Sequence, residues 1–217
     1  MNERVLFSGN VTHGQQFLSD KLRHVPTTYY ARDRGIGDTL LWAMQQKPNL
    51  SFALIGLGAG TLANYAREAD ARLRMAQLPK DKLYDVIVLD AFTGGSVPIH
   101  LLTREAFQIY ASHLKPDGYI AINITNAYLN LYPIVKAQSE VLGMTYRHKF
   151  QAADDVRNIR RNLHFVMTND QAYLKAHPSI SREVLDEAGR IIGTYPQDQP
   201  GLRLWTDQFS SIAPIVK

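Results

Sequence analysis

The chain has 217 residues, with 24 Lys and Arg against 20 Asp and Glu; 45% are hydrophobic and 20% charged, the balance of an ordinary globular domain with a full core. The absence of cysteine excludes disulfides, thiolate zinc sites and a cysteine nucleophile. No apolar run approaches the roughly 20 residues of a membrane helix, and the opening MNERVLFSGN lacks a signal peptide's apolar stretch, so a cytoplasmic protein is expected.

The net charge of +4 is spread along the chain. The densest basic cluster, VRNIRRNLHF (156–165), is too sparse for a nucleic-acid surface. It is expected to be a solvated basic edge or an anion-binding loop.

Near the start, RVLFSGNVTHGQQF alternates and is broken by Gly9-Asn10, which predicts a β-hairpin. The loop HVPTTYYARDRGIG follows. DTLLWAMQQK (38–47) has helical spacing, with Asp38 as the expected N-cap and Pro48 as the stop. The continuous apolar run 51–57 predicts a strand buried on both faces, and helices are expected over Thr61–Glu68 and Ala71–Gln77. YDVIVLDAF (84–92) is a second buried strand, ending in Asp90. TREAFQIYASHLKP (103–116) predicts a helix capped by Thr103 and closed by Pro116. GYIAINIT (118–125) is a third buried strand, and NLYPIVKAQSEVLG (130–143) a helix ending at Gly143. MTYRHKF (144–150) and NLHFVMTN (162–169) predict two closing strands joined by the polar loop 151–161. A capped helix from Ser181 opens an irregular tail. Alternating strands and helices argue for an α/β fold with a doubly wound, mostly parallel sheet. The expected division is an N-terminal hairpin and substrate loop over 1–34, then one α/β domain over 35–217.

GLGAG (56–60) follows a buried strand and opens a predicted helix, the context of a nucleotide loop. Glycines needed only for a tight turn would look the same. A nicotinamide enzyme wants an acid at the next strand end, about 20 residues on, where this chain has MAQLPKDK. A kinase-type phosphate loop is excluded because no Gly-Lys-Ser/Thr follows. Asp90 ends its strand where open α/β sheets place ligands, and an acid there can take a proton from an amine. A loop-bracing aspartate is the alternative. TGGSVPIH (93–100) is expected to be a shaped active-site loop. The seven histidines show no paired spacing around an acid, so no metal site is expected; His100 could line the pocket but is expected to make a structural hydrogen bond. Trp205 and Tyr30 could stack on a ligand, though packing is the commoner role.

Taken together, GLGAGTLANYA, YDVIVLDAFTGGSVPIHLLTREAF, HLKPDGYIAINI and WTDQFSS, with HGQQF and PTTYY…GIG near the start, resemble the spermidine synthase-like family. The likeness is strongest to a bacterial branch often fused to a membrane transporter-like domain. It implies an S-adenosylmethionine-type Rossmann fold behind a small N-terminal β piece. It also implies aminopropyl transfer from decarboxylated S-adenosylmethionine to a small-molecule amine. By the same likeness Asp90 is the catalytic acid, and Gly56, Gly58, Gly60, Asp70 and Ala91 are cofactor contacts. Gln16, Tyr30, Thr93 and Asp207 would meet the substrate.

Two departures qualify these expectations. The family's second aspartate, three residues after the catalytic one, is here Thr93, and a hydroxyl does not neutralise an ammonium. The chain also passes from AREAD (66–70) straight into ARLRM, where a strand ending in a ribose-binding acid is expected. A strand–helix–strand unit, the second and third strands of the sheet, is therefore expected to be missing, leaving an order 1-4-5-7-6 and an exposed first strand. That edge leaves a homodimer open. Two alternatives stand beside aminopropyl transfer: a non-catalytic nucleoside-binding module of the same fold, and an S-adenosylmethionine-dependent methyltransferase.

Overall fold

The computed structural model describes residues 3–8, 11–47, 49–56, 79–90, 98–154, 156, 159–185 and 187–217. The expected helices over 61–68 and 71–77 lie outside these residues. At the N-terminus, β1 (Glu3–Ser8) and β2 (Val11–Phe17) pair antiparallel with Ser8 opposite Val11, the hairpin that Gly9-Asn10 predicts.

The central sheet contains β3 (Phe52–Ile55), β4 (Tyr84–Leu89), β5 (Leu114–Asn123), β6 (Thr145–Gln151) and β7 (Asn162–Thr168) in the order β3-β4-β5-β7-β6. Strands β3, β4 and β5 run parallel, while β7 runs antiparallel to both its neighbours. A single reversed strand inserted before the last one is the S-adenosylmethionine-type Rossmann arrangement. The order matches the one expected after loss of the second and third strands, and among the described residues β3 pairs only with β4.

The apolar runs are continuous because both faces of the sheet are covered. Phe52, Leu54, Val86, Val88, Tyr119 and Ala121 pack on one face beneath α1 (Gly35–Gln46) and α4 (Gln171–Ala176). Their alternates Ala53, Ile55, Ile87, Leu89, Ile120 and Ile122 pack on the other. That face is covered by α2 (Arg104–Ser112), α3 (Tyr132–Val141) and the tail residues Trp205 and Ile215. Helix α3 closes as its sequence predicts, with Gly143 at φ +63°.

Three expectations are corrected. Helix α1 starts at Gly35 behind an Arg34 N-cap, and Asp38 sits inside its first turn, where its carboxylate meets Lys149 at 3.0 Å and His177 at 3.5 Å. Gly35 begins the helix because packing demands it: a Cβ there would stand 2.0 Å from His164 Nδ1. Helix α2 ends at Ser112, before Pro116, because strand pairing takes over. Tyr84 N–H donates to His113 O at 2.8 Å, and Leu114 enters β5 opposite Tyr84. The helix expected from Ser181 is instead the hairpin β8 (Arg182–Leu185) and β9 (Ile191–Tyr195). Gly189 at φ +77° lies between these strands, and the Arg182 guanidinium lies over the rings of Phe150 and Tyr195 at 5.4 and 5.9 Å. The short helix α4 escapes the sequence reading; Asp170 caps it, accepting from Ala172 and Tyr173 N–H at 2.9 and 3.2 Å.

The amino edge of the sheet is fastened by Asp85, whose side chain is 1% exposed. It accepts from Lys115 Nζ at 2.8 Å, Ser51 N–H at 2.9 Å and Ser51 Oγ at 2.8 Å, and Lys47 Nζ stands 3.0 Å from its other oxygen. One carboxylate thus joins the end of α1, the approach to β3 and the start of β5. Burial pushes its carboxyl up, but the donors outweigh that and hold it at about 2. The pKa is lower folded than unfolded, so the stabilisation is present above about pH 4 and is lost as pH falls toward 2. Asp85→Asn is expected to lower the melting temperature by several degrees at pH 7. Circular-dichroism melts should show the gap from wild type closing between pH 4 and pH 2.

Candidate active site

Asp90 stands at the carboxyl end of β4, where its N–H donates to Ile55 O at 2.8 Å and ties it to β3. One carboxylate oxygen receives the Tyr30 hydroxyl, and the other receives Asn123 Nδ2 at 2.9 Å. Asn123 is the last residue of β5. Because Leu89 pairs with Ile122, the register alone sets residues 90 and 123 side by side. Thr125 N–H donates to Asn123 Oδ1 at 3.0 Å, which fixes the amide with its NH2 toward Asp90.

Tyr30 arrives from the N-terminal segment. It is 3% exposed and ends the 3₁₀ turn Thr28–Tyr30, whose N-cap Thr27 donates to the carbonyl of Gln15 in β2. Thr28 has φ +56°, an unfavourable conformation for a β-branched residue, costing about 1–3 kcal/mol. Its buried hydroxyl has no hydrogen-bond partner among the described residues. The strained turn holds Tyr29 and Tyr30 edge-to-face, with ring centroids 6.1 Å apart.

Burial raises the Asp90 carboxyl to about 6, although the Tyr30 and Asn123 hydrogen bonds pull it down. Burial and the neighbouring Asp90 push the Tyr30 phenol well above its ordinary value, so Tyr30 remains a neutral donor. Burial raises Tyr29 as well, with Arg160 and Arg161 pulling it down and Asp90 pushing it up. The result is a desolvated carboxylate held by two neutral donors, poised to accept a proton near neutral pH.

Of the residues expected from sequence, the structure brings Tyr30 to Asp90. Gly56 directly follows β3 with φ +94°, a conformation that favours glycine and lets backbone approach a ligand. Gly58, Gly60, Asp70, Ala91 and Thr93 lie outside the described residues. Gln16 donates to Arg23 O at 3.3 Å in an exposed contact, while its neighbour Gln15 is the buried one. Asp207 accepts from Thr103 Oγ1 at 2.6 Å, and its N–H donates to Glu105 at 2.9 Å, at the start of α2. Asn123 and Tyr29 escape the sequence reading. Asn123 had a visible signal: like Asp90, it is a polar residue ending an apolar strand. Gly56, where backbone can approach a ligand closely, and the Asp90 carboxylate at the same edge of the sheet fit an S-adenosyl co-substrate. Among the described residues no group of three acidic or histidine side chains could hold a metal, and no helix is long and apolar enough to cross a membrane.

No family model matches the chain. The chain is distantly similar to a probable polyamine aminopropyl transferase of Bifidobacterium longum, 23% identical over 216 positions, covering 84% of this chain and 45% of that protein. Those positions outnumber the residues this chain contributes, so the relative carries residues within the matched span that this chain lacks. The chain spans under half of that relative's length. A second match, 48% identical over 50 residues, is to an N-terminal histidine N-methyltransferase of Emericella nidulans, covering 23% of this chain and 9% of that protein. Among solved structures, a probable spermidine synthase from Corynebacterium glutamicum aligns with TM-score 0.44 and 16% identity, covering 78% of this chain and 77% of that one. Both curated matches are named for transferases, and each is matched over less than half of its length.

The raised carboxyl of Asp90 carries a stability signature. A pKa higher in the folded state contributes stability below about pH 4 that is lost as pH rises through about 6. Asp90→Asn, which keeps the shape and, like the protonated acid, offers one acceptor oxygen and one donor, is expected to raise the melting temperature at pH 8 by several degrees, with an upper bound of about 3 kcal/mol. At pH 4 it should have little effect. Paired thermal melts at the two pH values check this.

Proposed function

We propose that this chain is a spermidine synthase-like transferase that moves an aminopropyl group from decarboxylated S-adenosylmethionine to an amine, with Asp90 as the general base. The observation that carries the proposal is the Asp90 carboxyl, raised by burial to about 6 between Tyr30 and Asn123 at the carboxyl edge of the sheet. The distant similarity to a probable polyamine aminopropyl transferase supports the same chemistry.

A bound sulfonium supplies a carbon that is already electrophilic, so the residues of this chain have mainly to align the acceptor and remove its proton. Above pH 6 Asp90 is mostly ionised, and each carboxylate oxygen keeps a lone pair beyond the one used by Tyr30 or Asn123. The attacking amine nitrogen would release its proton to that carboxylate as its bond to the sulfonium carbon forms and that carbon's bond to sulfur breaks, the electron pair staying on sulfur in the departing thioether. Tyr30 and Asn123 hold the carboxylate in one orientation through the transfer. The backbone from Gly56 onward would hold the nucleoside side, beginning where β3 ends.

A second reading is methyl transfer from S-adenosylmethionine, favoured by the short match to an N-methyltransferase. It would use the same base on a different transferred group. Assays with each sulfonium separate the two: methylthioadenosine release indicates aminopropyl transfer, and S-adenosylhomocysteine release indicates methyl transfer.

The rate is expected to climb with pH through about 6, following ionisation of Asp90. Asp90→Asn should lower kcat by about 100-fold or more. Tyr30→Phe removes a hydrogen bond that lowers the Asp90 pKa, so it should move the rising limb of the pH profile upward. Release of neither product by folded protein, across a panel of amines, would overturn the proposal.

A further inference from the structure

Arg160 and Arg161 stand at the entry of β7, which pairs with β5 on the side away from β4. Register sets His164 opposite Asn123, the residue that holds Asp90, so the residues just before Asn162 lie at the carboxyl edge beside the transfer site.

The backbone carrying these arginines is fixed on both sides. Ile159 is 3% exposed and exchanges two backbone hydrogen bonds with Asp154, at 2.8 and 2.9 Å. Asn162, 0% exposed, donates from Nδ2 to Arg160 O at 3.1 Å and accepts from His164 Nδ1 at 3.0 Å. Leu163 N–H donates to Thr125 Oγ1 at 2.9 Å, and Thr125 in turn orients Asn123. Both arginines are exposed, and no described carboxylate pairs with either. The Tyr29 phenol feels both arginines and Asp90, the guanidiniums pulling its pKa down and the carboxylate pushing it up.

Two guanidinium forks on a backbone hydrogen-bonded at this edge repel a cationic substrate end and match the geometry of a carboxylate. We propose that Arg160 and Arg161 form a carboxylate subsite, so that a substrate bound beside Asp90 carries a carboxylate. This rests on the reading above that the site binds a sulfonium nucleoside as group donor. The carboxylate has two sources: the amino-acid end of S-adenosylmethionine, or an acceptor with an amine at one end and a carboxylate at the other.

Calorimetric titration with two matched pairs distinguishes them. One pair is S-adenosylmethionine and its decarboxylated form. The other is 4-aminobutanoate and 1,4-diaminobutane, titrated alone and again with methylthioadenosine present. Wild type is expected to prefer the carboxylate member of one pair by about tenfold or more. Arg160→Gln/Arg161→Gln should abolish that preference, and Arg160→Glu/Arg161→Glu should reverse it, with methylthioadenosine affinity unchanged. The pair that responds identifies the source. Equal affinity within both pairs, or a preference that survives in the double glutamine variant, overturns the subsite even where methylthioadenosine binds. Failure of methylthioadenosine and both sulfoniums to bind overturns the nucleoside reading instead, and the acceptor pair titrated alone then decides the subsite.

Discussion

The structure depends on β4 being buried on both faces. A strand enclosed in this way can place polar side chains only at its ends, and it carries an aspartate at each. Asp85, at the amino end, is surrounded by Lys47, Lys115 and Ser51 and is held at about 2. Asp90, past the carboxyl end, has only a phenol and an amide for support and is raised to about 6. One carboxyl is committed to anchoring and the other is left chemically available. Burial pushes both carboxyls up; two ammonium groups and Ser51 outweigh it at Asp85, whereas the two neutral donors at Asp90 do not.

The partners of Asp90 come from distant parts of the chain. Asn123 is delivered by strand register, which follows from the parallel pairing of β4 with β5. Tyr30 is delivered by a different route: the hairpin anchors Thr27, the strained Thr28 turns the chain, and α1 then fixes the segment against the sheet. The N-terminal segment therefore completes the site and is more than an appendage to the sheet.

The continuous apolar runs 51–57, 84–89 and 118–125 were legible because burial on two faces leaves an unbroken hydrophobic signature. The order of the sheet followed from them once the resemblance supplied the arrangement. Helix starts were less legible. Asp38 has the chemistry of an N-cap, yet the close approach of Gly35 to His164 decides where α1 begins, and that contact spans most of the chain. The stretch after Ser181 carries only the adjacent pair Val184 and Leu185, too short an apolar pattern to separate helix from strand; the aromatic rings under Arg182 favour the hairpin. In the candidate site, the position of Asp90 was legible from its place at a strand end. Asn123 shows in the sequence only as a polar residue ending an apolar strand, its partnership with Asp90 being set by the pairing of two strands, and Asp207 meets Thr103 through a contact that no local pattern signals.

The contact between Gly35 and His164 also bears on how a map of mutational sensitivity would look. There is no room for even a methyl group at Gly35, and the chain leading into that position carries Tyr30. A larger residue would lift the start of α1 and withdraw the phenol from the carboxylate it steadies. Gly35 would then score beside Asp90 in a screen for inactive variants, although it touches no reacting group. Sensitivity around this centre reports the supports of the reacting carboxyl as strongly as the carboxyl itself.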